Sequence, residues 1–199
     1  ENMRAAKTTS TFILNGDETE TFEPRHTFYG FRYIKIEGLE GELRLEDFEA
    51  IPICSGFDRI GEFSSSNPII NQLQHNIEWG FWGNFVDVPT DCPQRDERLG
   101  WTGDAQVFFR TASFLGKVDN FFNKWLSDLK ADQRHDGRVP RIIPDTYSNG
   151  DYRTAATGWA DASVIIPWNH YVVFGNVNIL EQQYNSMKGW VDYMVSQSK

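Results

Sequence analysis

Cysteine is scarce in this 199-residue sequence: Cys54 and Cys92 stand alone, in no CxxC or CxxH spacing. One distant pair is no disulfide framework, and both are expected to be free thiols. Histidine is almost as rare. His26, His75, His135 and His170 form no HxxxH or HExxH spacing, which argues against a histidine metal centre and for structural or surface roles. No apolar run reaches the roughly 18 residues of a membrane span, and the opening ENMRAAKTTS has no hydrophobic signal core. The chain opens in polar sequence and closes without a helix-stop signal, so both ends read as cuts through a longer protein, and the localisation stays unknown. Positive charge is also short. Nineteen basic residues face 28 acidic ones, the formal net charge is −9, and the cations are scattered. A polyanionic partner is disfavoured on that ground, both nucleic acid and an anionic membrane surface, and a neutral ligand fits better.

Aromatic residues are abundant, with seven Trp, seven Tyr and fifteen Phe. They can build a core of this size with rings to spare. Surplus rings suit a sugar site, where pyranose C–H faces stack on them, though an aromatic-rich core accounts for them equally well.

Two periodicities divide the chain. Over 8–54, short β-branched and aromatic runs (TSTFIL, ETFEPRHTF, GFRYIKIEG, LRLEDFEAIPIC) are broken by turn formers such as Asn15-Gly16-Asp17. These predict strands. In the run from Phe31 to Glu37 one face carries Arg32, Ile34 and Ile36 and the other carries Phe31, Tyr33, Lys35 and Glu37, the alternation of a sandwich edge or meander. Four strands cannot close a sandwich, so the remaining strands are expected upstream of Glu1. The period changes at Ser64. Ser66 or Asn67 can cap a helix and Pro68 suits its first turn, and apolar residues then recur at helical spacing to Asn84. Further helices are predicted over 104–115, 118–133, 159–174, with Pro167 as a kink or break, and 177–199. Between the third and fourth lies a long Gly/Pro/Asp-rich loop of the kind that carries function on a rigid scaffold. The predicted plan is an α+β multidomain protein: residues 1–62 are the C-terminal part of a β-sandwich domain, and 63–199 are the start of an array of antiparallel helices.

The chemically informative stretch is VDVPTDCPQRDERLGWTGDAQVF, Val86 to Phe108. Asp87, Asp91, Asp96, Glu97 and Asp104 crowd together with Arg95, Arg98 and Trp101, on a backbone constrained by Pro89, Pro93 and Gly100. A solvated loop would account for Asp104 as a helix cap and for the arginines as surface partners of Asp96 and Glu97. Glycoside hydrolysis needs one protonated carboxyl for the leaving oxygen, a second carboxylate for water or the anomeric carbon, and fixed groups for the sugar hydroxyls. This stretch offers the first and the third. Neighbouring carboxylates raise one another's pKa and Arg95 opposes them, so the balance rests on geometry.

The string DCPQRDERLGWTGDAQ resembles, without departure, the signature of the bacterial α-L-rhamnosidases of glycoside hydrolase family 78. HTFYGFRYIKIEG is similar to the strand preceding their catalytic barrel, and GWADASVIIPW, from Gly158, is similar to one of their helix starts. The resemblance implies a partial antiparallel β-sandwich followed by the first helices of an (α/α)6 barrel. It also implies inverting hydrolysis of terminal α-L-rhamnosyl residues from a rhamnose-containing glycoside or polysaccharide, with no cofactor and no metal. By the same resemblance Glu97 is the general acid, Asp91, Arg95, Trp101 and Asp104 line the sugar pocket, and Trp159 adds a ring wall. The catalytic base falls on a later helix, beyond Lys199, so this piece alone is expected to be inactive. Helix faces bearing Phe81, Phe108, Phe121, Trp125 and Trp190 are expected to lie exposed in its absence.

Two other readings compete. A non-catalytic carbohydrate-binding module would use the same rings and half-site. A Ca²⁺ or Mg²⁺ site built from Asp87, Asp91, Asp96 and Asp104 lacks a DxDxDG loop and would face repulsion from Arg95 and Arg98.

Overall fold

Asn67 opens the helical part of the chain: its side-chain oxygen accepts from the Ile69 N–H at 2.9 Å, and Pro68 fills the first helical position, where no N–H is needed. The computed structural model describes residues 3–147 and 155–198. Helix α1 spans Pro68–Asn84 and ends in a tight reversal, in which β1 (Phe85–Val86) pairs antiparallel with β2 (Val88–Pro89). Asp87, at φ 64°, makes the turn between them. Four more helices follow: α2 Thr102–Leu115, α3 Asp119–Asp132, α4 Ala162–Phe174 and α5 Asn178–Gln197.

The core forms where these helices meet. In α3, Phe122, Trp125, Leu126 and Leu129 lie at i, i+3, i+4 and i+7, and all four are buried against α2, α4 and α5. Pro167 is buried inside α4, and the helix continues through it to Gly175, whose left-handed φ of 69° ends it. His170 of α4 is buried between Phe109 and Phe174, with Nε2 3.2 Å from the Asp119 carbonyl, and burial holds its pKa below the usual range. Phe81, Trp125 and Trp190, expected on exposed faces, are each at most 1% exposed, and Phe108 and Phe121 pack partly buried against them. Helices α1 to α5, with Phe57 and Phe85, bury these rings among themselves. The apolar residues left on the surface are others, including Ile69, Leu73, Phe114 and Trp168.

The expected partial β-sandwich is not formed among the described residues. Residues 8–54 hold a single 3-10 turn at Leu45–Asp47 and otherwise run as extended or irregular chain without paired strands. Ile34 and Ile36, expected on one covered face, are 63% and 38% exposed. The reason is physical: an extended strand cannot satisfy its own backbone, and no neighbouring strand pairs with these residues. The stretch that follows this region packs on the helices. Phe57 packs on Phe81, Phe85 and Phe121, Arg59 forms an isolated bridge with Gly116, and Ser55 N–H donates to the Phe85 carbonyl.

Candidate active site

The loop from Asp91 to Trp101 is held mainly by its main chain. The Asp91 N–H donates to the Leu99 carbonyl at 3.1 Å, the Ile143 N–H to the Gly100 carbonyl at 2.9 Å, and the Thr102 N–H to the Arg141 carbonyl at 2.8 Å. The buried Trp125 indole donates to the Ile143 carbonyl at 3.1 Å, which ties this seam to the core. Gly100 is required there, because a Cβ would stand 2.2 Å from the Ile143 oxygen.

Four of the sequence-predicted side chains converge on this loop. Glu97 Oε1 accepts from the Trp101 indole N–H at 3.0 Å, and its Oε2 lies 2.6 Å from Arg95 Nη2. Arg95 also lies 3.9 Å from Asp91 Oδ2. Burial acts to raise the Glu97 pKa, but hydrogen bonds from Trp101, Asp91 and Arg95 outweigh it and hold the carboxyl below its ordinary range. Asp91 moves the other way: burial lifts it, and Glu97 adds to that lift against an opposing contact with Cys92. Asp91 Oδ1 and Arg95 Nε are buried with no hydrogen-bond partner among the described residues.

Asp104 and Trp159 lie on a neighbouring cleft of about 680 Å³, which Asp91 joins to the loop; Phe81, Phe85 and Phe108 form its apolar floor. Helix α2 begins at Thr102, two residues before Asp104, so Asp104 is a first-turn residue rather than the cap. Trp159 lies against Gly103, where a Cβ would come within 3.0–3.1 Å of the indole, and the Arg141 guanidinium stands 5.8 Å from the Trp159 ring. Asp161 sets the start of α4 by accepting from the Gly158 N–H at 2.8 Å and the Trp190 indole at 2.9 Å. In the loop from Asp145 to Asp151, Asp145 is tied to Arg134 and accepts from the Tyr147 N–H, a fastening role; residues 148–154 lie outside the described residues.

Asp91, Cys92 and Glu97 bring three donor atoms within 4.8 Å of one another, but arginines contact the Glu97 carboxylate and oppose a cation there. Sequence reasoning missed Arg4 altogether. Its Nη2 lies 2.9 Å from Glu97 Oε2 and its Nε 3.0 Å from Asp96 Oδ1. A lone arginine in polar sequence, 93 positions away, carries no signal of such a contact.

Residues 58–199 match the family model described as the bacterial alpha-L-rhamnosidase 6 hairpin glycosidase domain, and residues 1–54 match the bacterial alpha-L-rhamnosidase concanavalin-like domain. The chain belongs to the bacterial α-L-rhamnosidase family. An alpha-L-rhamnosidase of Formosa agariphila is 41% identical over the whole chain, and one of an Alteromonas species is 39% identical. The chain spans 21% and 22% of those two relatives. Among solved structures, the Streptomyces avermitilis alpha-L-rhamnosidase complexed with L-rhamnose superposes on 72% of the chain and 14% of its own, with a TM-score of 0.68 at 39% identity. The Aspergillus terreus alpha-L-rhamnosidase covers 70% of the chain and 16% of its own, with a TM-score of 0.67 at 46% identity. The helical part of the rhamnosidase-family chain thus belongs to a six-hairpin glycosidase domain.

Proposed function

We propose that this chain carries the general-acid half of an active site that hydrolyses terminal α-L-rhamnosyl residues with inversion, the base being supplied by a later part of the protein. The observation that carries this reading is the hydrogen-bonded cluster of Asp91, Arg95, Glu97 and Trp101 beside a cleft walled by Asp104 and Trp159. In this reading Glu97 donates its proton to the glycosidic oxygen as the bond to the anomeric carbon breaks, and water attacks that carbon from the opposite face. Inversion sets the two carboxyls about 6.5–9.5 Å apart to leave room for that water. Asp91 and Asp104 line the cleft from the side of the acid and bind sugar hydroxyls, while Trp159 stacks on the ring.

Glu97 must be protonated to act, whereas in the free site its neighbours hold its carboxyl low and burial raises that of Asp91. Two neighbouring carboxyls titrate as a pair. A bound sugar that takes up the free Asp91 oxygen and the Arg95 donors withdraws hydrogen bonds from the Glu97 carboxylate, and burial then raises Glu97 toward the protonated form.

In the full-length protein, Glu97→Gln should lower kcat on an aryl α-L-rhamnoside by about 10²–10⁴-fold with folding kept. Good leaving groups should suffer least. Asp91→Asn should instead weaken rhamnose affinity by roughly 1–3 kcal/mol. Unchanged turnover in Glu97→Gln would remove Glu97 from the acid role, and a collapse of kcat confined to Asp91→Asn would transfer that role to Asp91.

A further inference from the structure

Arg4 lies in the segment matched by the concanavalin-like domain, while Glu97 lies in the segment matched by the glycosidase domain. The Arg4 guanidinium bridges two carboxylates of the site loop, with Nε 3.0 Å from Asp96 Oδ1 and Nη2 2.9 Å from Glu97 Oε2. Its backbone sits at φ 47°, a left-handed conformation uncommon for a residue with a side chain, and a Met3–Ala6 turn closed by the Ala6 N–H to Met3 carbonyl bond at 3.0 Å encloses it. Nor is this contact isolated. Arg98 donates to the Phe28 carbonyl at 2.6 Å, its guanidinium stands 4.2 Å from the Phe28 ring, and Gly30 sits so close to Gln94 that a Cβ would meet the Gln94 Cβ at 2.7 Å. The N-terminal segment therefore embraces the loop at Gln94, Asp96, Glu97 and Arg98.

We propose that Arg4 is a positioning residue for the acid: it reaches across from the N-terminal domain, grips the Glu97 Oε2 edge, and leaves Oε1, which the Trp101 indole holds, as the edge presented to substrate. The inference rests on the acid role of Glu97 given above. An unanchored Glu97 would be oriented by Arg95 and Trp101 alone, and Arg95 is the residue that the sugar draws away. Arg4 supplies the hold that persists once substrate is bound. The charged and titratable groups around Glu97 are Arg4 from the N-terminal segment, Asp91, Cys92, Arg95 and Asp96 from its own loop, and the Trp101 indole at the head of α2. Among the described residues Arg4 and Arg95 are the two cations in contact with it, so neutralising Arg4 removes a charge that favours the ionised acid.

The test uses the full-length protein and an aryl α-L-rhamnoside. Arg4→Gln should lower kcat at the pH optimum about tenfold, with KM little changed, because the residue touches the acid and not the sugar. It should also move the alkaline limb of the kcat/KM profile up by about one pH unit, since that limb reports the pKa of the acid. Arg4→Lys keeps the charge but cannot bridge both carboxylates; it should keep the limb in place while losing part of kcat, and it serves if Arg4→Gln does not fold. In a Glu97→Gln background, adding Arg4→Gln should cost nothing further. An unmoved limb in Arg4→Gln, wild-type kcat in Arg4→Lys, or full additivity with Glu97→Gln would each overturn the proposal. Glu97→Gln measured alone separates the two failures: near-wild-type turnover sinks the acid assignment, whereas an inactive Glu97→Gln beside an unaffected Arg4→Gln sinks the Arg4 role only.

Discussion

Residues 8–54 and residues 68–198 meet the backbone's demand for hydrogen bonds in opposite ways. Each helix closes its bonds within itself, and α3 then buries one apolar stripe against its neighbours, so Phe122, Trp125, Leu126 and Leu129 are all fully buried. The N-terminal region carries apolar runs of similar strength but must borrow its bonds from other strands, and Ile13 and Tyr33 are each 85% exposed. The contrast teaches that local periodicity is enough to complete a helix and only half of what a strand requires. Where the N-terminal region is firmly placed, side chains pin it to the helical part: Phe57 in the core, Arg59 on Glu78, and Arg4 on the site loop.

The contrast is most open to breaking at Trp125. Trp125→Ala removes a fully buried ring and the indole bond to Ile143, and should destabilise the helical domain by about 3–5 kcal/mol in chemical unfolding followed by helix circular dichroism. A loss below about 1 kcal/mol would mean that the core lies elsewhere. Gly100→Ala forces a methyl against the Ile143 carbonyl, at a cost of about 1–3 kcal/mol, and it should lower rhamnoside turnover as well, because the same seam positions Glu97. The cap of α1 is smaller in effect: Asn67→Ala should cost about 1 kcal/mol, read as a lower unfolding midpoint. At the low end, Tyr33→Ser in this 199-residue chain should stay within about 0.5 kcal/mol, as expected of an exposed side chain. In the full-length protein the same change should cost more if strands there cover Tyr33, and an equal effect in both settings would remove the distinction between the two regions.

The helices were legible because their signals are local. Asn67-Pro68 marked the start of α1, Gly116 and Gly175 follow α2 and α4 directly, and the apolar spacing brought the predicted bounds within three residues of those observed. Pro167 was read as a kink or break; the helix runs through it, since packing on both sides outweighs one missing N–H. The motif residues Asp91, Arg95, Glu97 and Trp101 could be nominated together because they share one short loop. Their charges could not. That Asp91 is raised and Glu97 lowered depends on burial and on the direction of each hydrogen bond, which composition does not encode. The unpaired state of 8–54 and the reach of Arg4 to Glu97 were illegible for a shared reason, namely that both depend on partners distant in sequence.

The seam beneath the loop has a consequence for redesign. Asp91, Leu99, Gly100, Thr102, Arg141 and Ile143 are stitched through peptide groups, with help from the Thr102 hydroxyl and from the Trp125 indole, which lies in the core. A library that varies Arg95, Asp104 and Trp159 while leaving Gly100 and Trp125 intact would thus change the lining of the site without moving the shelf on which Glu97 stands.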